Sequence, residues 1–411
     1  MTPVVSGGAL GARVEELLER RTAVSERFFT AEAEPVARLC HRMAERFARG
    51  GRLIAVGASP QARSDARHVA VEFVHPVIVG KRALPAIGLA REGGGLAAQV
   101  ELIAEADDVF IAFGLEEGDS DTAAALEHAV ARDCLTIAFA RGAAEWTFEA
   151  PSDDPFVRQE LTETLYHVLW ELVHVFFEHR GLLEGREARK VHDAGASSFL
   201  YPFLGEREHD LDAVLADVRE SVVLKAEDLA ALRTQTLSEG RDDLIAAAAA
   251  LRERFDSGGR LLALGNGGSA TDAMDAVADF REPPAAAGGD GPRWPARAAL
   301  DLTEDAAILT AIANDIGTDA IFARQVIAYG RAGDVALALS TSGNSTNVIE
   351  ALAEARRRGL LTIAMVGYDG GNVAGDRLAD HVIVTRSEHI PRIQEAQASA
   401  WHVLRELMEA G

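Results

Sequence analysis

The chain is poor in cysteine: Cys40 and Cys134 are the only two in 411 residues. Both sit in apolar runs and read as core thiols of a reducing compartment, which argues against a disulfide scaffold. Positive charge is also scarce. Lys and Arg number 41 against 64 Asp and Glu, for a formal net charge of −23, and such a chain repels a nucleic-acid backbone. No apolar run reaches the roughly 20 residues needed to span a bilayer. Residues 1–10 lack a basic region followed by an apolar one, so no signal peptide is expected. These absences point to a cytoplasmic protein that engages neither membrane nor nucleic acid. They leave room for a small phosphate, because backbone amides can supply a local positive field.

What is present is apolar content of 48% and 37 glycines, a composition suited to an α/β enzyme. Helical spacing runs through residues 9–49 and stops at Gly50-Gly51. Short apolar strands follow at 52–57, 84–89, 108–113 and 135–139, with helical segments between them and a long helix over about 156–180. Strands alternating with helices imply a parallel sheet covered on both faces.

The pattern then starts again. Gly258-Gly259-Arg260-Leu261-Leu262-Ala263-Leu264-Gly265 echoes Gly50-Gly51-Arg52-Leu53-Ile54-Ala55-Val56-Gly57. Asp334-Val335 and Leu361-Thr362-Ile363-Ala364 echo Asp108-Val109 and Leu135-Thr136-Ile137-Ala138. Gln394-Glu395 and His402-Val403-Leu404 echo Gln159-Glu160 and His167-Val168-Leu169. The blocks keep their order at slowly growing offsets, the mark of a duplicated unit of roughly 200 residues. The expected division is a degenerate repeat at 1–185, a linker at 186–211 and a second repeat at 212–411.

One stretch of the second repeat is rich in chemistry. Ser340-Thr341-Ser342-Gly343-Asn344-Ser345 follows an apolar strand and precedes a helix. Hydroxyls gathered at a helix N-terminus suit a phosphate monoester, because the amides there lack intrahelical partners and the helix dipole favours negative charge. The first repeat has Gly114-Leu115-Glu116-Glu117-Gly118-Asp119 at that position, whose carboxylates would repel a dianion. It compensates elsewhere. His68 and Glu72 lie four apart on one helix face, and Gln159 and His167 lie on the long helix. Such a set could ligate a divalent metal such as zinc, or act as base and acid in proton transfer. Its counterpart in the second repeat is Asp275, Asp279, Gln394 and His402.

Taken together, Gly265-Asn266-Gly267-Gly268-Ser269, Thr310 to Asp315, Ser340 to Ser345, Gly367 to Gly371 and Arg392-Ile393-Gln394-Glu395 resemble the sugar isomerase (SIS) domain. The branch is that of phosphoheptose isomerase and its replication-initiator-associating relative. The resemblance is strong over about 215–411 and rests mainly on the duplication before that. It implies two tandem SIS domains. Each would be a flavodoxin-like five-stranded parallel sheet with helices on both faces and long helices at its N-terminal end. It also implies that Ser340, Thr341, Ser342 and Ser345 hold a substrate phosphate, with Asn266 and Ser269 nearby. A glutamate base and a histidine acid carry over to Glu72 and His167 in the first repeat, and to Asp279 and His402 in the second. A zinc set carries over to His68, Glu72, Gln159 and His167, with the weaker set at Asp275, Asp279, Gln394 and His402. The second repeat departs from the family at the glutamate, which is Asp279, at the first metal histidine, which is Asp275, and at an aspartate three residues before Gln394, which is Pro391. The arginine just after the base has no exact counterpart, Pro283 and Pro76 being the nearest positions with Arg281 close by.

The function expected from this reading is aldose–ketose isomerisation of a phosphorylated sugar resembling sedoheptulose 7-phosphate, through an enediol. The phosphate cradle of the second repeat and the acid/base set of the first would share the work, in a homodimer that forms a pseudo-tetramer of SIS units. A conservative variant places the chemistry in the second repeat alone, on Asp279 and His402. The alternative is a non-catalytic protein that binds a sugar phosphate or another protein.

Overall fold

The computed structural model describes residues 7–78, 81–115, 118–140, 144–178, 210–284 and 294–410. Most of the expected linker, including Phe199, Leu200, Tyr201, Phe203 and Leu204, lies outside the described residues, and so do Glu116 and Glu117. The chain divides into two compact units. We call residues 26–151 and 161–227 the N-unit, and residues 1–25, 152–160 and 228–411 the C-unit. The units are not simple sequence halves, since short stretches from the front of the chain count with the rear.

The long helix α1 (Gly7–Ala48) opens the chain. The N-unit sheet contains β1 (Leu53–Val56), β2 (Ala86–Leu89), β3 (Val109–Ala112), β4 (Leu135–Ala138) and β5 (Trp146–Thr147). Its helices include α2 (Pro60–Val74), α3 (Leu96–Ile103) and α4 (Ser120–Ala131), followed by α5 (Pro155–Glu178). After α6 (Leu211–Glu239) and α7 (Arg241–Asp256) the C-unit repeats the plan. It runs β6 (Leu261–Leu264), α8 (Gly268–Arg281), β7 (Ala299–Asp301), α9 (Ala306–Asp315), α10 (Ile321–Tyr329), β8 (Val335–Ser340) and α11 (Thr346–Arg357). Then come β9 (Leu361–Gly367), α12 (Gly371–Gly375), β10 (His381–Thr385) and α13 (Ile390–Ala410). Among the described residues no helix is long and apolar enough to cross a membrane.

Both sheets are five-stranded, in the orders β2-β1-β3-β4-β5 and β7-β6-β8-β9-β10, and every pairing is parallel. This is the flavodoxin-like order that the family resemblance implies. The central strands are buried along their whole length, as a sheet covered on both faces requires. In the C-unit, Leu261, Ala263, Val335 and Leu337 face Trp401 and Leu404. Their neighbours Leu262, Leu264, Ala336 and Ala338 face Val326 and Leu352. Each such large side chain contributes about 1.5–3 kcal/mol when buried.

One ion pair records the duplication. Arg52 donates through its backbone N to Asp108 Oδ1 at 2.8 Å and through its guanidinium to Oδ2 at 2.7 Å. Arg260 treats Asp334 the same way, at 2.9 Å and 2.8 Å. In each unit the pair joins the start of the first strand to the start of its neighbour. Cys40 and Cys134 are buried free thiols, and burial pushes the Cys134 thiol up to about 11.

Candidate active site

In an open parallel sheet of this order, ligands bind beyond the carboxyl ends of the two strands where the winding reverses. In the C-unit those strands are β6 and β8, and the turns that leave them are Gly265–Ser269 and Ser340–Ser345. The turn after β8 is held open by its own residues. Ser340 Oγ accepts from Gly343 N, and Ser342 Oγ accepts from Asn344 N, both at 3.2 Å. Gly343 has φ +62, and a Cβ there would stand 2.3 Å from the Gly370 carbonyl, so only glycine fits. Ser345 occupies the N-cap position of α11 in an extended conformation and makes no side-chain capping hydrogen bond.

The turn after β6 passes through Gly267, at φ +59 and ψ −127, a conformation that L side chains avoid. No side chain caps α8 either. Asn266 and Asn347 exchange reciprocal amide hydrogen bonds at 2.9 Å, which ties the two turns together. Ser269 is buried in the first turn of α8. Ser340 is buried, while Thr341, Ser342 and Ser345 are half-buried.

Two helices lead away from these turns with their residues in matching order. Helix α13 meets the turn after β8 through Gln397 Nε2, which donates to the Ser340 carbonyl at 3.4 Å. Nearest the turns, Asp272 of α8 hydrogen-bonds Gln394 of α13. Burial pushes the Asp272 carboxyl well above its ordinary range, and the Gln394 bond only partly opposes this. Two helical turns further on, Asp279 of α8 faces Trp401 and His402 of α13. Trp401 Nε1 donates to Asp279 Oδ2 at 3.0 Å, and His402 Nε2 lies 3.7 Å from the same oxygen. Asp279 and His402 are both buried. Asp275, between the two layers on α8, is half-buried.

The far side of His402 carries a feature the sequence did not disclose. Its Nδ1 lies 2.8 Å from Glu160 Oε1, and the Phe156 ring stacks on the imidazole with centroids 4.4 Å apart. Both residues come from the 152–160 stretch of the C-unit. Glu160 also accepts from Arg21 Nε at 2.9 Å and from Ser399 Oγ at 2.6 Å, and Arg233 lies 3.5 Å away. Burial alone would raise the Glu160 carboxyl. The charge of Arg21, the His402 bond and charge, and Arg233 outweigh it and hold the group far below the usual carboxylate range.

The N-unit builds a different cluster. Ser59 caps α2 by accepting from Ala62 N at 3.1 Å, and Pro60 opens the helix. One face of α2 then presents buried His68 and Glu72, with His68 Nε2 and Glu72 Oε1 3.9 Å apart. From α5 come Glu163, Tyr166 and His167, all buried. Tyr166 OH lies 2.9 Å from His68 Nδ1, and the two Nε2 atoms of His68 and His167 lie 3.3 Å apart. Burial first, then the neighbouring His167, lowers His68 well below its ordinary value, so it stays neutral.

Donor atoms of His68, Glu163 and His167 lie within 4.8 Å of one another. The donor set fits zinc: two imidazoles, one carboxylate, and an Nε2–Nε2 distance close to the roughly 3.4 Å edge of a tetrahedron with ~2.1 Å arms. A neutral imidazole is the ligating form, and a hydroxyl on its other nitrogen is a common way of orienting it.

The expected site residues therefore fall into three groups. Ser340, Thr341, Ser342 and Ser345 form one turn, with Asn266 and Ser269 on the turn beside it. His68, Glu72 and His167 come together in the N-unit, where Glu163 joins them; Gln159 is placed in the 152–160 stretch of the C-unit, half-buried. In the C-unit, Asp279 meets His402 while Gln394 meets Asp272. Among the described residues, Asp275, Asp279 and His402 do not converge as His68, Glu163 and His167 do. Glu163 could have been found by spacing, since it lies four residues before His167 on one helix face. Comparing the repeats drew attention to Gln159 instead.

This arrangement has known relatives, and the chain belongs to the SIS-domain family that includes the phosphoheptose isomerases. A family model described as SIS domain matches residues 226–367. A phosphoheptose isomerase of Chlorobium phaeobacteroides is 42% identical over 192 residues, covering 46% of this chain and 82% of that protein. One from Pelobacter propionicus is 44% identical over 162 residues, covering 39% of this chain and 82% of that protein. Two solved structures match nearly the whole chain. The tagatose-6-phosphate ketose/aldose isomerase from Escherichia coli has a TM-score of 0.55 at 13% identity, covering 100% of this chain and 95% of that one. The C-terminal domain of glucosamine-fructose-6-phosphate aminotransferase from Francisella tularensis has a TM-score of 0.58 at 10% identity, covering 96% of this chain and 94% of that one. At such identities these two structures speak to the fold, and the fold is a tandem of two SIS units.

Proposed function

We propose that the chain is an aldose–ketose isomerase of a phosphorylated sugar, of the size and type of sedoheptulose 7-phosphate. The observation that carries this reading is the order of groups in the C-unit. The hydroxyl turn and the glycine turn flank the point where the sheet winding reverses, and the two helices reached from them carry paired polar residues at successive depths. A phosphate would sit in the turn of Ser340, Thr341, Ser342 and Ser345, with Asn266 and Ser269 beside it. The sugar chain would run along α8 and α13 toward Asp279 and His402. Asp279 would take the proton from the carbon next to the carbonyl while His402, as the imidazolium, protonates the carbonyl oxygen through Nε2 to give the enediol. Asp279 would then deliver that proton, or one exchanged from solvent, to the neighbouring carbon as His402 Nε2 takes the proton of the other hydroxyl.

The relatives named phosphoheptose isomerase support this reading. Their alignments cover most of their own length, 82% of the Chlorobium phaeobacteroides protein at 42% identity. We assign His68, Glu163 and His167 of the N-unit, with Glu72 beside them, to a divalent metal. Zinc held there would supply a Lewis-acidic charge.

The test is incubation of the full chain with sedoheptulose 7-phosphate in deuterium oxide. The expected result is an aldose product carrying one solvent deuterium at its second carbon. Absence of both product and label overturns the reading. One observation favours a second reading, in which the C-unit binds a sugar phosphate without turning it over: Asp279 is already bonded to Trp401. Saturable binding of the sugar phosphate with no label incorporated would establish it.

A further inference from the structure

We infer that Glu160 is the positioning residue of His402, and that the C-unit site depends on the 152–160 stretch for the proton-carrying state of that imidazole. The inference rests on the isomerase reading only for its kinetic consequence. Its structural content stands on geometry.

The carboxylate of Glu160 is buried and surrounded by donors: Arg21 Nε and His402 Nδ1 on Oε1, and Ser399 Oγ on Oε2. Arg233 lies beyond Oε2. Two guanidinium groups against one carboxylate keep it ionised, and an ionised carboxylate can only accept. The hydrogen of the 2.8 Å contact therefore sits on His402 Nδ1. In the imidazolium Nε2 also carries a hydrogen, the one handed to the substrate oxygen. In the neutral ring left behind, Nδ1 keeps its hydrogen and Nε2, 3.7 Å from Asp279, is the lone-pair nitrogen. Phe156 flattens against the ring and limits its rotation about χ2. A carboxylate behind an imidazole in this way sets which nitrogen exchanges protons with the reacting groups in front. Arg21 has a further partner, donating to Glu406 Oε1 at 2.9 Å, so it too is held in place.

The test uses the full chain and two variants. Glu160→Gln removes the charge. Glu160→Asp keeps the charge against Arg21 and Arg233 but withdraws the carboxylate by one methylene. Nitrogen-15 NMR of labelled histidine reads the His402 tautomer directly. In the parent chain it should show a protonated Nδ1, and in both variants it should move toward a mixture or toward protonated Nε2. With turnover measurable, kcat should fall about 10- to 100-fold with KM changed less than twofold. Ser399→Ala, which removes one hydrogen bond to Oε2 and leaves the His402 contact, should leave the tautomer unchanged.

The proposal is overturned if the tautomer is the same in the parent and both Glu160 variants, or if kcat falls without any change in the His402 spectrum. If Glu160→Gln does not fold, Glu160→Asp carries the test. If the parent chain proves inactive on every sugar phosphate, the isomerase reading falls, while the tautomer measurement still decides the role of Glu160.

Discussion

The two units place the same strand and helix starts at the same points of the same sheet, yet they treat negative charge in opposite ways. In the N-unit the helix starts beyond the sheet are filled by the unit's own anions and caps. Asp121 accepts from Leu96 N at 2.9 Å and Ala97 N at 3.1 Å. Asp119 caps α4, Arg91 pairs with both aspartates, and Ser59 caps α2. In the C-unit the matching starts of α8 and α11 have no side-chain cap: Gly267 stands where Ser59 caps α2, and Ser345 where Asp119 caps α4, while α9 keeps a carboxylate cap in Asp305. A helix N-terminus that carries its own carboxylate is an anion site already satisfied. One that presents a serine not engaged in capping is an anion site that a phosphate can fill. The duplicated fold kept the geometry in both copies, and the caps at these helix starts are where the copies differ.

This comparison can be broken most directly by giving the C-unit the cap of the N-unit. Ser345→Asp should place a carboxylate at the start of α11 and weaken sugar-phosphate binding at least about 100-fold, by repulsion and by occupying the amides. It should not lower stability, because aspartate is a better N-cap than serine without its side-chain bond, by roughly 0.5–1 kcal/mol. Isothermal titration and a thermal melt on the same sample separate the two effects. Unchanged affinity would mean that the phosphate lies elsewhere.

A smaller effect sharpens the contrast in metal chemistry. The full chain should bind zinc in the N-unit, and Glu163→Gln should weaken that binding about 10- to 100-fold. Asp275→Asn should leave it unchanged. Metal content after dialysis against a chelator series reads both, and equal loss in the two variants would move the ion to the C-unit.

The smallest expected effect concerns Asp272, whose carboxyl is raised well above its ordinary range by burial. A raised acid pKa in the fold costs stability above the unfolded value of about 3.9, and the cost disappears as the pH falls below it. Asp272→Asn should therefore stabilise the chain at neutral pH, with the gain vanishing near pH 3. Urea unfolding at the two pH values checks this, and an equal gain at both would show that ionisation is not its cause.

Much of the fold was legible because its strands are short apolar runs that end at turns. Leu53–Val56, Val109–Ala112, Leu135–Ala138 and Leu261–Leu264 all lie where periodicity and the internal echoes put them. The edge strands were less visible. Trp146–Thr147 spans two residues, and three of the five in His381–Thr385 are only half-buried, so neither forms an apolar run. The turn from Ser340 to Ser345 was legible as a strand-to-helix turn because its residue types are unusual in one place. Glu160 and Glu163 were not. Glu163 makes its cluster with a helix far earlier in the chain, and the repeat comparison pointed to its neighbour Gln159. Glu160 meets Arg21 and His402 across separations of 139 and 242 residues, and no local pattern announces a partner that distant. Matching the repeats residue by residue also concealed it, since that procedure assigns 152–160 to the first copy while the folded chain counts it with the second.

That assignment bears on how the gene can change. A message trimmed to its second copy would still encode Arg233, Ser399 and His402, but not the acidic side chain that joins them. Deletion of the front copy would then strip the surviving one of a part it cannot replace, and a fusion that began as redundancy becomes difficult to reverse.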